Sequence, residues 1–140
     1  MNHLLYRLIY LKMYNICEQV QNYLNKQFNC TNINTPLGEF TKVETNYHYA
    51  DGDLISVFVK DKGNRFIITD LAEGMRSLTD HMVSYSLTDN QNEIKDTLLK
   101  YYGVTEYEGM FLIKTYEKND VPKCIINLAQ AISKISDISF

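Results

Sequence analysis

Residues 50–78 read ADGDLISVFVKDKGNRFIITDLAEGMRSL, and the alternation inside this run sets the fold class. From Leu54 to Lys60 every second residue is apolar, so Ile55, Val57 and Val59 face one side of a strand while Leu54, Ser56 and Phe58 face the other. A second apolar run, Arg65 to Thr69, follows Lys62-Gly63-Asn64, and Asp51-Gly52 separates Leu54 from an earlier run, Phe40 to Tyr49. Both breaks carry the glycine that tight hairpins need for a positive φ. Three consecutive strands joined by such turns form an antiparallel meander. Asp70 then stands where a helix N-cap belongs, with Glu73 three residues on to complete a capping pair ahead of Met75, Leu78 and Met82.

Upstream, Leu5, Ile9, Met13, Ile16, Val20 and Tyr23 or Leu24 recur at helical spacing, which predicts a long amphipathic helix from Leu5 to about Phe28. Asn29 to Gly38 shows no apolar period and reads as a loop. Downstream, Ser84 to Gln91 is polar. A helix follows with Ile94, Leu98 and Tyr101 inward, capped by Asn90 and Glu93, favoured at its end by Lys100 and stopped by Gly103. Val104 to Tyr107 and Met110 to Tyr116 flank Glu108-Gly109 as a second hairpin. Asp120 and Pro122 open a last helix whose Val121, Ile125, Leu128, Ile132 and Ile135 share one face. Strands and helices fall in separate groups, which specifies an α+β fold: an antiparallel meander and a second hairpin packed against N-terminal, middle and C-terminal helices. One domain spans residues 1–140. Residues 1–12 also read as an extension of the first helix, since MYNICEQV from Met13 begins equally well.

The quoted run, with its acidic-glycine turn, its strand and the Thr69-Asp70 step that ends the next strand, resembles domain-of-unknown-function family 1828, found in bacteria and their phages. The resemblance continues through KYYGVTEYEGMFLIKTY (residues 100–116) and the closing helix, about two thirds of the chain in all. It implies the fold more than an activity. The family usually carries a second acid or a glycine directly after the first Asp, whereas Asp70 is followed by Leu71 and Ala72. A role requiring adjacent carboxylates is therefore not implied.

Composition narrows the function classes. At 140 residues the chain is long enough to bury a core unaided. Fourteen basic against seventeen acidic residues leave a formal charge of -3, so there is no overall cationic field to hold a phosphate backbone. A basic group at Lys60, Lys62 and Arg65, with Arg76 nearby, is the local candidate for nucleic acid and reads first as a solvated turn. Cys17, Cys30 and Cys124 are odd in number and lack paired spacing, which predicts reduced thiols in a cytoplasmic protein rather than a disulfide or a zinc knuckle. No apolar run approaches the roughly 20 residues that span a bilayer. Arg7 interrupts the opening MNHLLYRLIYLK, which lacks a cleavage site and does not read as an export signal. No cofactor is expected, since neither GxGxxG nor GxxxxGK[ST] occurs among the six glycines.

Asp51, Asp53, Asp70 and Glu73 come nearest to a carboxylate cluster. Converging, they could hold a magnesium ion and activate water for a small hydrolase or nuclease. Read structurally, they are turn and cap residues. The Glu93-Ile94-Lys95 step suits a nuclease only on a strand, and it lies at a helix start. His3, His48 and His81 fall in three separate elements without companion ligands, and Cys17 and Cys124 read as core thiols.

Tyrosine is the anomaly. Eleven occur, and Tyr6, Tyr10 and Tyr14 lie four apart beside the apolar stripe of the first helix. With Leu4, Leu8 and Leu11 they make its first turns apolar almost all round, more than one core-facing side can absorb. Either the helix is packed deeply in its own domain, or this is a docking face for a protein partner such as a second copy, since tyrosines bury area at little entropic cost. With Arg7 and Lys12 the only cations in those first turns, a membrane-surface role is disfavoured. The preferred reading is a non-enzymatic binding or regulatory protein of phage or mobile-element type. A metal-dependent hydrolase and a weak nucleic acid binding module are the alternatives.

Overall fold

The structure, a computed structural model, describes residues 16–23, 28–72 and 87–139. Its centre is a six-stranded sheet. Strands β1 (Asn29–Thr35), β2 (Gly38–His48), β3 (Leu54–Asp61) and β4 (Phe66–Thr69) form the meander, and β5 (Thr105–Tyr107) and β6 (Met110–Thr115) add the second hairpin. The order across the sheet is β1-β2-β3-β4-β6-β5, and every neighbouring pair is antiparallel. Among the described residues, helices α1 (helical at residues 16–23), α2 (Asp89–Tyr102) and α3 (Val121–Ser136) make this an α+β architecture.

One face of each strand builds the core. Val43 on β2, Ile55, Val57 and Val59 on β3, Ile68 on β4 and Phe111 on β6 are buried. Helix α3 crosses the strands on this side and presents Val121, Ile125, Leu128, Ile132 and Ile135, all buried, as their spacing predicts. Burying each such side chain is worth roughly 1.5–3 kcal/mol, and Ile16 and Val20 of α1 join the same cluster. Polar contacts set the register of α3 against the end of β2. Ser136 Oγ accepts from Ala50 N at 2.7 Å, and Ser133 Oγ donates to the His48 carbonyl at 2.8 Å.

The turns follow their residues. Glu108 and Gly109 have φ of 48° and 80°, the two positive values that a type I′ hairpin requires.

Four expectations are corrected. Asn29 to Gly38 is not a loop, because β1 pairs with β2 from Asn29↔Glu44 to Thr35↔Gly38. It is an edge strand exposed along much of its length, so the hydrophobic alternation that marks a strand is weak in NCTNINT. Second, Cys17 and Cys30 are joined by a disulfide, with Cα atoms 5.6 Å apart, and only Cys124 is free. Their separation of 13 residues fits no motif; the bond exists because β1 and α1 meet.

Third, α2 is rotated from its expected phase. Lys95 and Leu99 are buried and Leu98 packs against the core as expected, whereas Ile94 and Tyr101 are 44% and 80% exposed. Its cap is Thr88, whose hydroxyl accepts from Gln91 N while the Gln91 side chain accepts from Thr88 N, a capping box two residues before the expected pair. Lys95 reaches inward because Glu106 on β5 meets it at 3.0 Å. Gly103, at φ 70°, ends the helix as expected.

Fourth, Asp70 does not cap a helix beginning at Leu71, since Leu71 and Ala72 adopt φ of 52° and 72°. Of the two residues expected to continue the inward stripe of the first helix, Tyr23 is 58% exposed and Leu24 lies outside the described residues, as do the rest of that long helix and the short helix after Asp70.

Candidate functional site: the outer face of the sheet

The strands also have a second face, and strand register lays it out in rows. The pairing Lys42↔Phe58, Phe58↔Thr69, Thr69↔Leu112 and Leu112↔Thr105 is one row across β2, β3, β4, β6 and β5. Two residues along each strand, Lys60↔Ile67 and Ile67↔Lys114 continue a second row, next to Phe40. On the other side, Tyr107↔Met110 begins a third. Side chains two apart on a strand share a face, so all three rows lie opposite Ile55, Val57 and Val59.

Between these rows runs a groove of about 430 Å³. Ile67, Leu112 and Met110 form its floor, and Leu37, 63% exposed, and Tyr107, 58% exposed, stand at its margins. Phe40 and Phe58, edge to face with centroids 6.4 Å apart, are buried beside it. The Lys60 ammonium lies 5.0 Å from the Phe40 ring centroid and donates to the Leu37 carbonyl. Gly38 is conformed to this approach: at φ 112°, its backbone runs so close to Lys60 that a Cβ there would meet the ammonium. Lys62 and Lys114 also line the groove, and among the described lining residues there is no carboxylate. A chain of net charge -3 thus turns a cationic, apolar surface outward on its sheet.

The expected site residues fall elsewhere. Tyr6, Tyr10, Tyr14, Leu4, Leu8 and Leu11 lie outside the described residues, as do Glu73, Arg76, His3 and His81. Asp51 and Asp53 sit in the exposed β2–β3 turn, where Asp51 Oδ1 accepts from Asp53 N at 2.9 Å. Asp70 is fully buried at the end of β4, and its Oδ1 accepts from Phe111 N and from Ala72 N, both at 3.0 Å. By register it is level with Val57, four residues along β3 from Asp53, on the order of 13 Å. Among the described residues no three such side chains are grouped to hold a metal ion. Glu93 is exposed on α2, and His48 is exposed at the end of β2.

Cys124, half-buried on α3, has its thiol pushed above the ordinary value, chiefly by burial and secondly by Asp120, with Lys123 opposing. No helix among the described residues is long and apolar enough to cross a membrane.

Of the groove residues, Lys60 and Lys62 are legible as a basic turn. Lys114 and the apolar floor belong to no motif in the sequence. Their signal is that FIIT and MFLIKT carry apolar residues on both faces of the strand, where a half-solvated antiparallel strand would alternate. A family model described as "Domain of unknown function DUF1828" matches residues 45–135. No curated protein and no solved structure matches the chain.

Proposed function

From the premise that this chain belongs to the DUF1828 family, we propose that it is a non-enzymatic protein-binding, regulatory domain. In this proposal it is of the kind carried by phages and mobile elements and works in the cytoplasm. The observation that carries the reading is the outer sheet face, a groove of about 430 Å³ with an aliphatic floor, margined by Lys60, Lys62 and Lys114. Apolar surface left open on a sheet is satisfied by contact with another layer, and aliphatic side chains in a groove offer packing rather than reactive groups. The tyrosine-rich stretch from Leu4 to Tyr14 is assigned the same kind of task, contact with a second copy. In a reducing cytoplasm the Cys17–Cys30 bridge would exchange with the thiol pool rather than persist as a permanent staple.

The test compares what full-length wild-type protein and a Leu112→Asp variant retain from the native host, with matching circular dichroism as the control for folding. Leu112 lies on the outer face, so the substitution puts a charge on the groove floor and leaves the helix-packed face untouched. A host protein retained by the wild type and lost by the variant is the expected result. Identical retention by both removes the outer face from the account. For the tyrosine stretch, light scattering on the full chain and on a Tyr6→Ser/Tyr10→Ser/Tyr14→Ser variant is expected to show a dimer reduced to a monomer. A monomer in both ends that part.

A further inference from the structure

Resting on the outer face as a contact surface, we propose that the groove takes an acidic amphipathic helix of a partner protein, lying across the strands. Three features of the groove select that occupant.

The first is charge. All the ionic side chains among the described lining residues are cations, Lys60, Lys62 and Lys114, on a chain whose net charge is -3. The local field opposes the molecule's own, which favours an anionic occupant and disfavours a neutral or basic one.

The second is spacing. Lys60, Ile67 and Lys114 lie side by side on three neighbouring strands. Adjacent strands are about 4.8 Å apart, which sets the two lysines on the order of 10 Å apart with an aliphatic side chain between them. A helix rises about 1.5 Å per residue, so acids seven positions apart are also separated by roughly 10 Å, with aliphatic residues at the third and fourth positions falling between them on the same side. A helix laid on this face gives the sheet the second packed layer that its inner face already has.

The third is the nature of the floor. A single-stranded nucleic acid needs open aromatic faces on which to stack its bases. Here the Lys60 ammonium lies over the Phe40 ring, Phe58 is buried edge-on against Phe40, and among the described lining residues Tyr107 at the margin is the one open ring, where a run of stacked bases needs several. The floor itself is Ile67, Leu112 and Met110, which suits leucine-like side chains. The chain's own apolar stretch fits poorly, because Leu4 to Tyr14 contains Arg7 and Lys12 and no acid. The exposed acids of α2 fit poorly too. Asp89 and Asp96 have the sevenfold spacing, but Asn92 and Glu93 stand where aliphatic residues are needed.

The experiment is fluorescence anisotropy on the full chain with a labelled, helix-forming peptide of about 18 residues, long enough to be helical in isolation. It is alanine-based, with glutamates at heptad spacing and leucines three and four positions beyond each. A second peptide replaces every glutamate with lysine, and a third probe is oligothymidylate. The protein variant is Lys62→Glu/Lys114→Glu, which leaves the Lys60 contacts in place.

Saturable binding of the acidic peptide, weakened by salt, is expected, with a loss on the order of ten-fold or more in the variant and a gain by the lysine peptide there. Equal binding of both peptides to wild type, no binding of either, tighter binding of oligothymidylate, or unchanged affinity in the variant each overturns the proposal. If no peptide binds while Leu112→Asp still removes a host protein, the partner's chemistry is wrong and the contact surface stands. If neither effect appears, the surface falls with it.

Discussion

Asp70 shows how much one side chain can settle. The β4 backbone leaves the sheet after Asp70, whose N still donates to the Phe111 carbonyl at 3.2 Å, because Leu71 and Ala72 turn into the left-handed region. Phe111 N would then face a departing strand, and the Asp70 carboxylate accepts its hydrogen bond instead. A buried donor left without a partner costs about 1–3 kcal/mol. Asp70→Ala is therefore expected to lower stability in urea unfolding by at least that amount, and Asp70→Asn, which keeps an acceptor oxygen, by less. Equal effects would mean that the charge and not the acceptor matters. The Thr-Asp step is visible in the sequence, but its purpose is not, since a cap and a strand-end acceptor call for the same residue.

Cys124 offers a second test at this scale. Its thiol is raised above the ordinary value, so the folded protein holds the proton where the unfolded chain has begun to release it. The associated stability is complete below the unfolded value and is lost as pH rises through the folded one. Iodoacetamide at pH 8 is accordingly expected to label Cys124 more slowly in the native protein than in urea. Equal rates would contradict that environment.

At the scale of elements, the legible parts were those with one wet and one dry face. Helix α3 and strand β3 show their period plainly, and the residues expected to be buried are buried, with Phe58 of β3 covered in addition on the outer face. Strand β1 was missed because much of it faces solvent, so its pairing leaves little hydrophobic trace. Helix α2 was assigned the wrong phase because Lys95, a polar residue in sequence, points inward to Glu106. Its start depends on the Thr88 and Gln91 capping box, and Thr88→Ala is expected to cost about 1 kcal/mol in thermal or urea unfolding. A neutral result would show that its contacts with α3 and β5 hold the helix without the cap. The Cys17–Cys30 bond ties α1 to β1, and Cys17→Ser/Cys30→Ser is expected to cost about 2–4 kcal/mol. Thiol counting on the oxidised, denatured wild type should find one reactive cysteine, and three after reduction.

For the molecule as a whole, the two faces of the sheet divide the work. The inner face carries the core under α3, and the outer face holds the lysine-margined groove. Sequence reading found two of the three lysines but assigned them to a turn, because a face is assembled from strands far apart in the chain and only register shows that Lys60, Ile67 and Lys114 are neighbours. The most direct test is amide chemical-shift mapping of the full chain titrated with the acidic leucine-bearing peptide. Shifts are expected to concentrate at Lys60, Ile67, Met110, Leu112 and Lys114 and to be small at α2 and α3. Shifts concentrated on the helices, or none at saturating peptide, would contradict binding in the groove.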